Sequence, residues 1–155
     1  MQDPSGHGRD LISFRIGAQE FCIGVAVVRE IRGWTQATPL PHAPSYVRGV
    51  INLRGAVLPI IDLAERLGLP ASEPTPQHVI IVVEIGADMA GLLVSAVCGI
   101  LTATEQMIQP TPDIASGSSK AYVQGLLTIE NRMIGLLCAE KLVSHHPHAQ
   151  QLEPA

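Results

Sequence analysis

Aromatic residues make up only 3% of the 155-residue chain: one Trp, two Tyr and two Phe. A core built from this sequence has to be aliphatic, and base stacking on exposed rings is excluded as a main binding mode. Blocks of basic residues are also missing, and the net charge is −4. The electrostatic footprint of a nucleic-acid binder is therefore absent. The same lack counts against attachment to an anionic membrane surface. The longest apolar run, VIIVV at 79–83, falls far short of the roughly 20 residues of a spanning helix. The opening MQDPSGHGRD is polar and has no apolar h-region, so it does not read as a signal peptide, and a cytoplasmic location is expected. Cysteine is sparse: Cys22, Cys98 and Cys138 are widely separated and form no CxxC pair. Each lies in an apolar run and is expected to be a small buried hydrophobe.

What the chain does have is an internal duplication. YVRGVINLRGAVLPIIDLAERL (46–67) lies over YVQGLLTIENRMIGLLCAEKLV (122–143) without a gap, so that Tyr46 meets Tyr122 and Gly49 meets Gly125. LISFRIGAQEFCIGVAVVREI (11–31) lies over IIVVEIGADMAGLLVSAVCGI (80–100), where Ile12, Ile16, Gly17, Ala18, Val25, Val28 and Ile31 meet identical residues. One unit of several strands is used twice. Neither copy repeats an acid, a base or a ligand cluster, which favours a scaffold over an enzyme.

Hydrophobic residues reach 46%, and a chain of this length buries about 68–70% of its unfolded surface without needing disulfides or metal. Residues 1–10 read as a disordered lead, 11–144 as one domain with halves at about 11–69 and 78–143, and 145–155 as a disordered tail. LISFRI (11–16) alternates and pairs through GAQE with FCIGV (21–25) as a hairpin, Phe21, Ile23 and Val25 facing inward. AVVREIRGW (26–34) reads as a helical turn running into a strand, and SYVRG (45–49) as one short helical turn. GVINL and AVLPIIDL form a hairpin turning at Arg54-Gly55. Pro59 suggests an edge or bulge there, and Gly135 a bulge at the matched place. AERLGL (64–69) is a short helix, and PASEPTPQ (70–77) is the linker between copies. HVIIVVEI (78–85) is apolar throughout and is expected to be buried on both faces. TPDIASGSSK (111–120) is expected to be a flexible loop. The total is roughly ten short strands with regular turns. This is an all-β pattern, read as two small barrels on one shared aliphatic core.

Candidate chemistry is thin. SHHPH (144–148) offers three His without a nearby Cys, Asp or Glu to close a shell, and no metal or cofactor site is expected. Glu30, Asp62, Glu65 and Glu84 are scattered, and Asp62 stands where a helix cap belongs. No GxSxG, Walker A or GxGxxG is present, so no catalytic residue is assigned. Arg54 stands at a hairpin tip where the second copy has Glu130, so the fold does not demand Arg. It is either a fork for a partner's carboxylate or a solvated turn charge. Val28, Ile31 and Val50 beside Glu30 and Arg54 read either as an interface with a polar rim or as plain core.

EIRG (30–33), PHAPSYVRGVINLRG (41–55) and VLPIIDL (57–63) resemble the signature of the CheW-like family of chemotaxis coupling proteins, over about residues 11–144. The resemblance implies two intertwined five-stranded Src-homology-3-like barrels with short helical turns, a non-enzymatic adaptor, and no cofactor. It implies two partners: the regulatory domain of the histidine kinase CheA, and the cytoplasmic tip of methyl-accepting chemoreceptors. Carried over by motif, the partner contacts are Val28, Glu30, Ile31, Gly49, Val50, Asn52 and Arg54, with Gly91 and Val97 in the second copy. Ser95 and Cys138 stand where the family favours acidic or amide residues, which leaves open an adaptor of a non-flagellar pathway serving pili or biofilm. A small-ligand sensor using the groove between barrels is a third reading. With no kinase, receiver or phosphotransfer region in the sequence given, a free-standing adaptor is expected.

Overall fold

The structure, a computed structural model, describes residues 8–70, 73–110 and 121–143. The tail, its SHHPH run, the loop at 111–120 and residues 1–7 of the expected lead lie outside the described residues. The first copy supplies β1 (Arg9–Ile16), β2 (Gln19–Gly24), a 3-10 turn (Val25–Val27), β3 (Val28–Gly33), β4 (Val47–Leu53), β5 (Ala56–Asp62) and α1 (Leu63–Arg66). The second supplies β6 (Val79–Ile85), β7 (Asp88–Val94), β8 (Ala96–Ala103), a 3-10 turn (Glu105–Met107), β9 (Ile108–Gln109), β10 (Val123–Ile129), β11 (Arg132–Leu137) and α2 (Ala139–Val143).

The copies exchange hairpins. One sheet runs β8-β1-β2-β11-β10-β9 and the other β3-β6-β7-β5-β4. The β1–β2 hairpin of the first copy thus sits among second-copy strands, and β6–β7 sits among first-copy strands. The junctions repeat in register: Ile60 pairs with Gly91 in parallel, and the matched Leu136 pairs with Cys22 in parallel. Bulges repeat as well, at Val47/Gly49 and at Val123/Gly125. These are the two intertwined barrels that the family resemblance implied.

Three apolar clusters follow from strand alternation. Ile51, Leu53, Leu58, Ile60, Ile80 and Val82 fill one curled sheet. Leu11, Cys22, Leu127, Ile134 and Leu136 fill the other. Ile12, Phe14, Ile23, Ile61, Ile81, Val83 and Leu92 pack between them. On β6 successive residues therefore face different cores, and Ile80, Ile81, Val82 and Val83 are all 0% exposed. Each such side chain contributes about 1.5–3 kcal/mol relative to exposure. This accounts for the unbroken apolar run at that strand.

Both central hairpins turn through two left-handed residues, Arg54 (φ 51) with Gly55 (φ 89) and Glu130 (φ 48) with Asn131 (φ 67). That geometry suits the right-handed twist of the flanking strands. Asp62 caps α1, accepting from the N–H groups of Ala64 (3.1 Å) and Glu65 (3.4 Å). Its other oxygen accepts from Arg48 Nε at 3.0 Å. The Arg66 guanidinium lies 4.0 Å from the Tyr46 ring centre and 4.9 Å from that of Tyr122, the two tyrosines matched by the duplication.

Several expectations change. Strand β1 begins at Arg9, because Asp10 is held to β8 by pairing and by the Thr102 hydroxyl at 2.9 Å. Val25 leaves the strand and opens the 3-10 turn. Ser45 and Tyr46 form a turn, not a helical one, and β4 starts at Val47. Pro59 lies inside β5 rather than at an edge; it is tolerated because pairing with β7 starts only at Ile60. Gly135 is not bulged: a Cβ there would stand 2.9 Å from the Phe21 ring. Cys22 is buried as expected, and burial pushes its thiol up to about 12. Cys98 is exposed, because it is the extra residue of a bulge between β1 and β8.

Candidate functional site

The duplication supplies an internal control for function: what the fold needs should recur in both barrels, and what a partner needs has no reason to. On β3, register with β6 sets side-chain direction. Glu30 and Arg32 pair with Val82 and Ile80, whose side chains enter the barrel, and Ile31 pairs with Ile81 on the outer side. Glu30 thus points toward the barrel mouth. There one carboxylate oxygen accepts from Arg54 Nη2 and the other from Arg32 Nη1 at 3.1 Å. The two guanidiniums, Arg54 first, hold the Glu30 carboxyl below the usual carboxylate range. Arg54 is 69% exposed and Glu30 26%, so the pair forms a rim and not a buried bridge. The adjacent Arg29, the extra residue of the β3 bulge, pairs with Glu84.

Strands β3 and β4 stand at opposite ends of their sheet's strand order, so the Glu30–Arg54 contact crosses the seam where the sheet curls shut. The chain leaving β3 crosses the same seam. Thr38 and Val50 exchange N–H···O bonds of 2.8 and 2.9 Å.

The second barrel lacks this cluster. Gly99 stands for Glu30, Leu101 for Arg32, and Glu130 for Arg54. An open groove of about 520 Å³ lies there, lined by Arg15, Cys98, Gly99, Ile100 and Glu130 among others. Its own ion pair, Arg132 to Glu20 at 2.9 and 3.3 Å, uses different positions. Apolar exposure, by contrast, does recur. Four of the five large apolar side chains exposed among the described residues form two matched pairs, Ile31 with Ile100 and Val57 with Met133.

The anticipated contact residues divide. Glu30, Ile31, Asn52 and Arg54 reach the surface of the first barrel, with Val28 and Val50 half-buried beside them. Asn52 also accepts the Gly55 N–H at 3.0 Å, which steadies the turn carrying Arg54. Gly49 and Gly91 are buried. A Cβ on Gly91 would stand 2.7 Å from Ile80 and 2.8 Å from Ile60, so that glycine leaves room for the core. Val97 belongs to the other sheet and packs against the shared core. Arg32 was missed by sequence reasoning, although its place two residues from Glu30 on one strand puts both on one face. The Arg66 stack left no readable signal, since it joins α1 to tyrosines that precede β4 and β10 in separate copies.

Between the sheets, a cavity beside Asp62, His78 and Ser95 holds about 60 Å³. That suits a few waters and is far below the roughly 300–1,000 Å³ of a small-molecule site. No helix among the described residues is long and apolar enough to cross a membrane, and no group of His, Cys, Asp or Glu among them has a metal-binding arrangement.

Comparison with known proteins agrees with this architecture. Residues 10–146 match the CheW-like domain. The chain is 61% identical over 130 residues to the chemotaxis protein CheW of Rhizobium meliloti (strain 1021), covering 84% of each protein. It superposes on the crystal structure of the scaffolding protein TtCheW from Thermoanaerobacter tengcongensis with a TM-score of 0.81 at 28% identity, covering 90% of this chain and 94% of that one. Likeness to the protein PilI of Pseudomonas aeruginosa is narrower, 39% over 88 residues, or 57% of this chain and 49% of that protein. With a core, a hairpin exchange and a sequence that all point the same way, the chain belongs to the CheW-like family.

Proposed function

We propose that this protein is a chemotaxis adaptor that couples methyl-accepting receptors to the histidine kinase CheA, with no catalytic step of its own. It works in the cytoplasm, recruited to receptor arrays through its partners, and binds the kinase through that enzyme's regulatory domain. The carrying observation is the Glu30–Arg54–Arg32 cluster, present on one barrel and replaced on its twin. A charged rim beside the exposed Ile31 is the composition of an interface edge. The proposed direct contacts are Glu30, Ile31, Asn52 and Arg54, flanked by Val28 and Val50. Gly49 and Gly91 act from inside the barrel, and Val97 serves the second barrel's side. Nothing favours the pilus-type reading, since likeness to PilI covers only 57% of the chain.

The test is a calorimetric titration of the CheA regulatory domain from the same genome into wild type and Arg54→Ala. Arg54→Ala should stay folded, with only the small drop in melting temperature that loss of an exposed ion pair allows, and lose about 1–3 kcal/mol of binding, as a charged interface anchor does, or roughly 5- to 150-fold in Kd. Undiminished binding by a folded Arg54→Ala protein would remove Arg54 from the interface. No binding by folded wild type would defeat the kinase-coupling proposal.

A further inference from the structure

We infer that Gly49 is a positioning residue: it lets the Thr38 carbonyl lie against its Cα, and so closes the first barrel and seats Arg54 opposite Glu30. Gly49 is buried and has φ 142, a conformation that residues with a Cβ rarely adopt. A Cβ there would lie 2.3 Å from the Thr38 oxygen, 2.6 Å from its carbon and 3.0 Å from Pro39 N. All three are backbone atoms, so no side-chain rotation relieves the clash. The segment they belong to makes the Thr38–Val50 bonds across the seam. Just before it lies Trp34, the sole Trp, packed against the barrel interior and bonded through its backbone N–H to the His78 carbonyl oxygen at 3.1 Å.

The second barrel repeats the device. A Cβ on Gly125 would meet Ile108 Cγ2 at 2.8 Å and Gln109 O at 2.9 Å, where β9 closes onto β10. Closure is thus common to both barrels, but only the first carries Glu30 and Arg54 across its seam. The consequence for binding rests on the docking surface proposed above. The closure itself does not.

The test uses the whole protein without a partner. Glu30 titration is followed by carboxyl NMR, and Trp34 by emission and acrylamide quenching, in wild type, Gly49→Ala, Thr38→Pro, Arg54→Ala and Gly125→Ala. Thr38→Pro removes one seam bond without touching Gly49, and decides the matter if Gly49→Ala fails to fold. Arg54→Ala gives the Glu30 titration with Arg32 and the nearby Arg29–Glu84 pair still in place. In Gly49→Ala and Thr38→Pro, the Glu30 pKa should rise toward its Arg54→Ala position, and Trp34 should become redder and more quenchable. Gly125→Ala should leave both at wild-type values. Wild-type Glu30 and Trp34 signals in the folded seam variants would overturn the inference, and so would equal shifts in Gly125→Ala. If the seam variants shift but bind the kinase domain unchanged, closure by Gly49 stands and the docking surface falls.

Discussion

Asp62 and Cys138 occupy matched positions at the starts of α1 and α2, and only one of them can cap. Both place their backbone alike: Asp62 N–H bonds to Tyr46 O at 2.7 Å, and Cys138 N–H to Tyr122 O at 2.8 Å. Asp62→Ala removes a cap worth about 1 kcal/mol. It also removes a hydrogen bond from Arg48, whose side chain is 25% exposed against 6% for Asp62. Screening at that partly open guanidinium holds the second contribution to about 1–2 kcal/mol. The expected total is about 2–3 kcal/mol, or roughly 4–12 °C in Tm for a chain of this size. Asp62→Asn keeps a cap acceptor and should lose only the charge-assisted part. Cys138→Asp creates a cap where Arg48 is replaced by Gln124, and should gain about 0.5–1 kcal/mol. Urea unfolding followed by far-UV circular dichroism measures all three. Equal losses in Asp62→Ala and Asp62→Asn, with no gain in Cys138→Asp, would refute capping as the role of this site.

Other outcomes follow from burial and charge. Val82→Asp places an unpaired charge in a 0%-exposed site and should abolish cooperative unfolding; a normal melting curve would contradict the placement of β6. The folded Glu30 pKa is depressed by Arg54 and Arg32, so its contribution to stability is present above the unfolded value of about 4.5 and is lost as pH falls through the lower folded value. Glu30→Gln should therefore flatten the pH dependence of Tm in that acid window and nowhere near neutrality; an unchanged acid limb would refute the pairing. Cys98 is exposed, Cys138 is half-buried and the Cys22 thiol is buried and raised to about 12, so Cys98→Ser in a Cys138→Ser background should abolish the fast phase of thiol labelling at pH 8. A fast phase surviving in that variant would contradict the exposure of Cys98.

Local chemistry made much of this molecule legible in advance. The matched hairpins were visible because Arg54-Gly55 lies between alternating apolar runs, and the two-sided burial of β6 because its apolar run has no polar interruption. Asp62 was readable as a cap because capping depends on neighbours two and three residues away. Cys98 was misread for the opposite reason. Its apolar neighbours suggest core, but a bulge opposite β1 turns it outward. Gly49 and Gly91 were recognisable as motif residues, yet their backbone surroundings come from Thr38 and from Ile60 and Ile80 on other strands.

By itself, the sequence determined the character of most strands, the hairpin turn residues and the existence of two equivalent units, because each depends on spacing within a few residues; the two-residue β9 carried no such signal. It could not say which unit's strands pair with which. Alignment of two like copies is indifferent to exchange, since swapping the β1–β2 and β6–β7 hairpins preserves every alternation pattern. The family resemblance implied intertwined barrels, but only the tertiary structure decided which hairpins exchange. It also decided the meeting of Glu30 with Arg54 across the seam and of Arg66 with both matched tyrosines. Those contacts depend on how a curled sheet closes in three dimensions, which no local pattern of residues encodes.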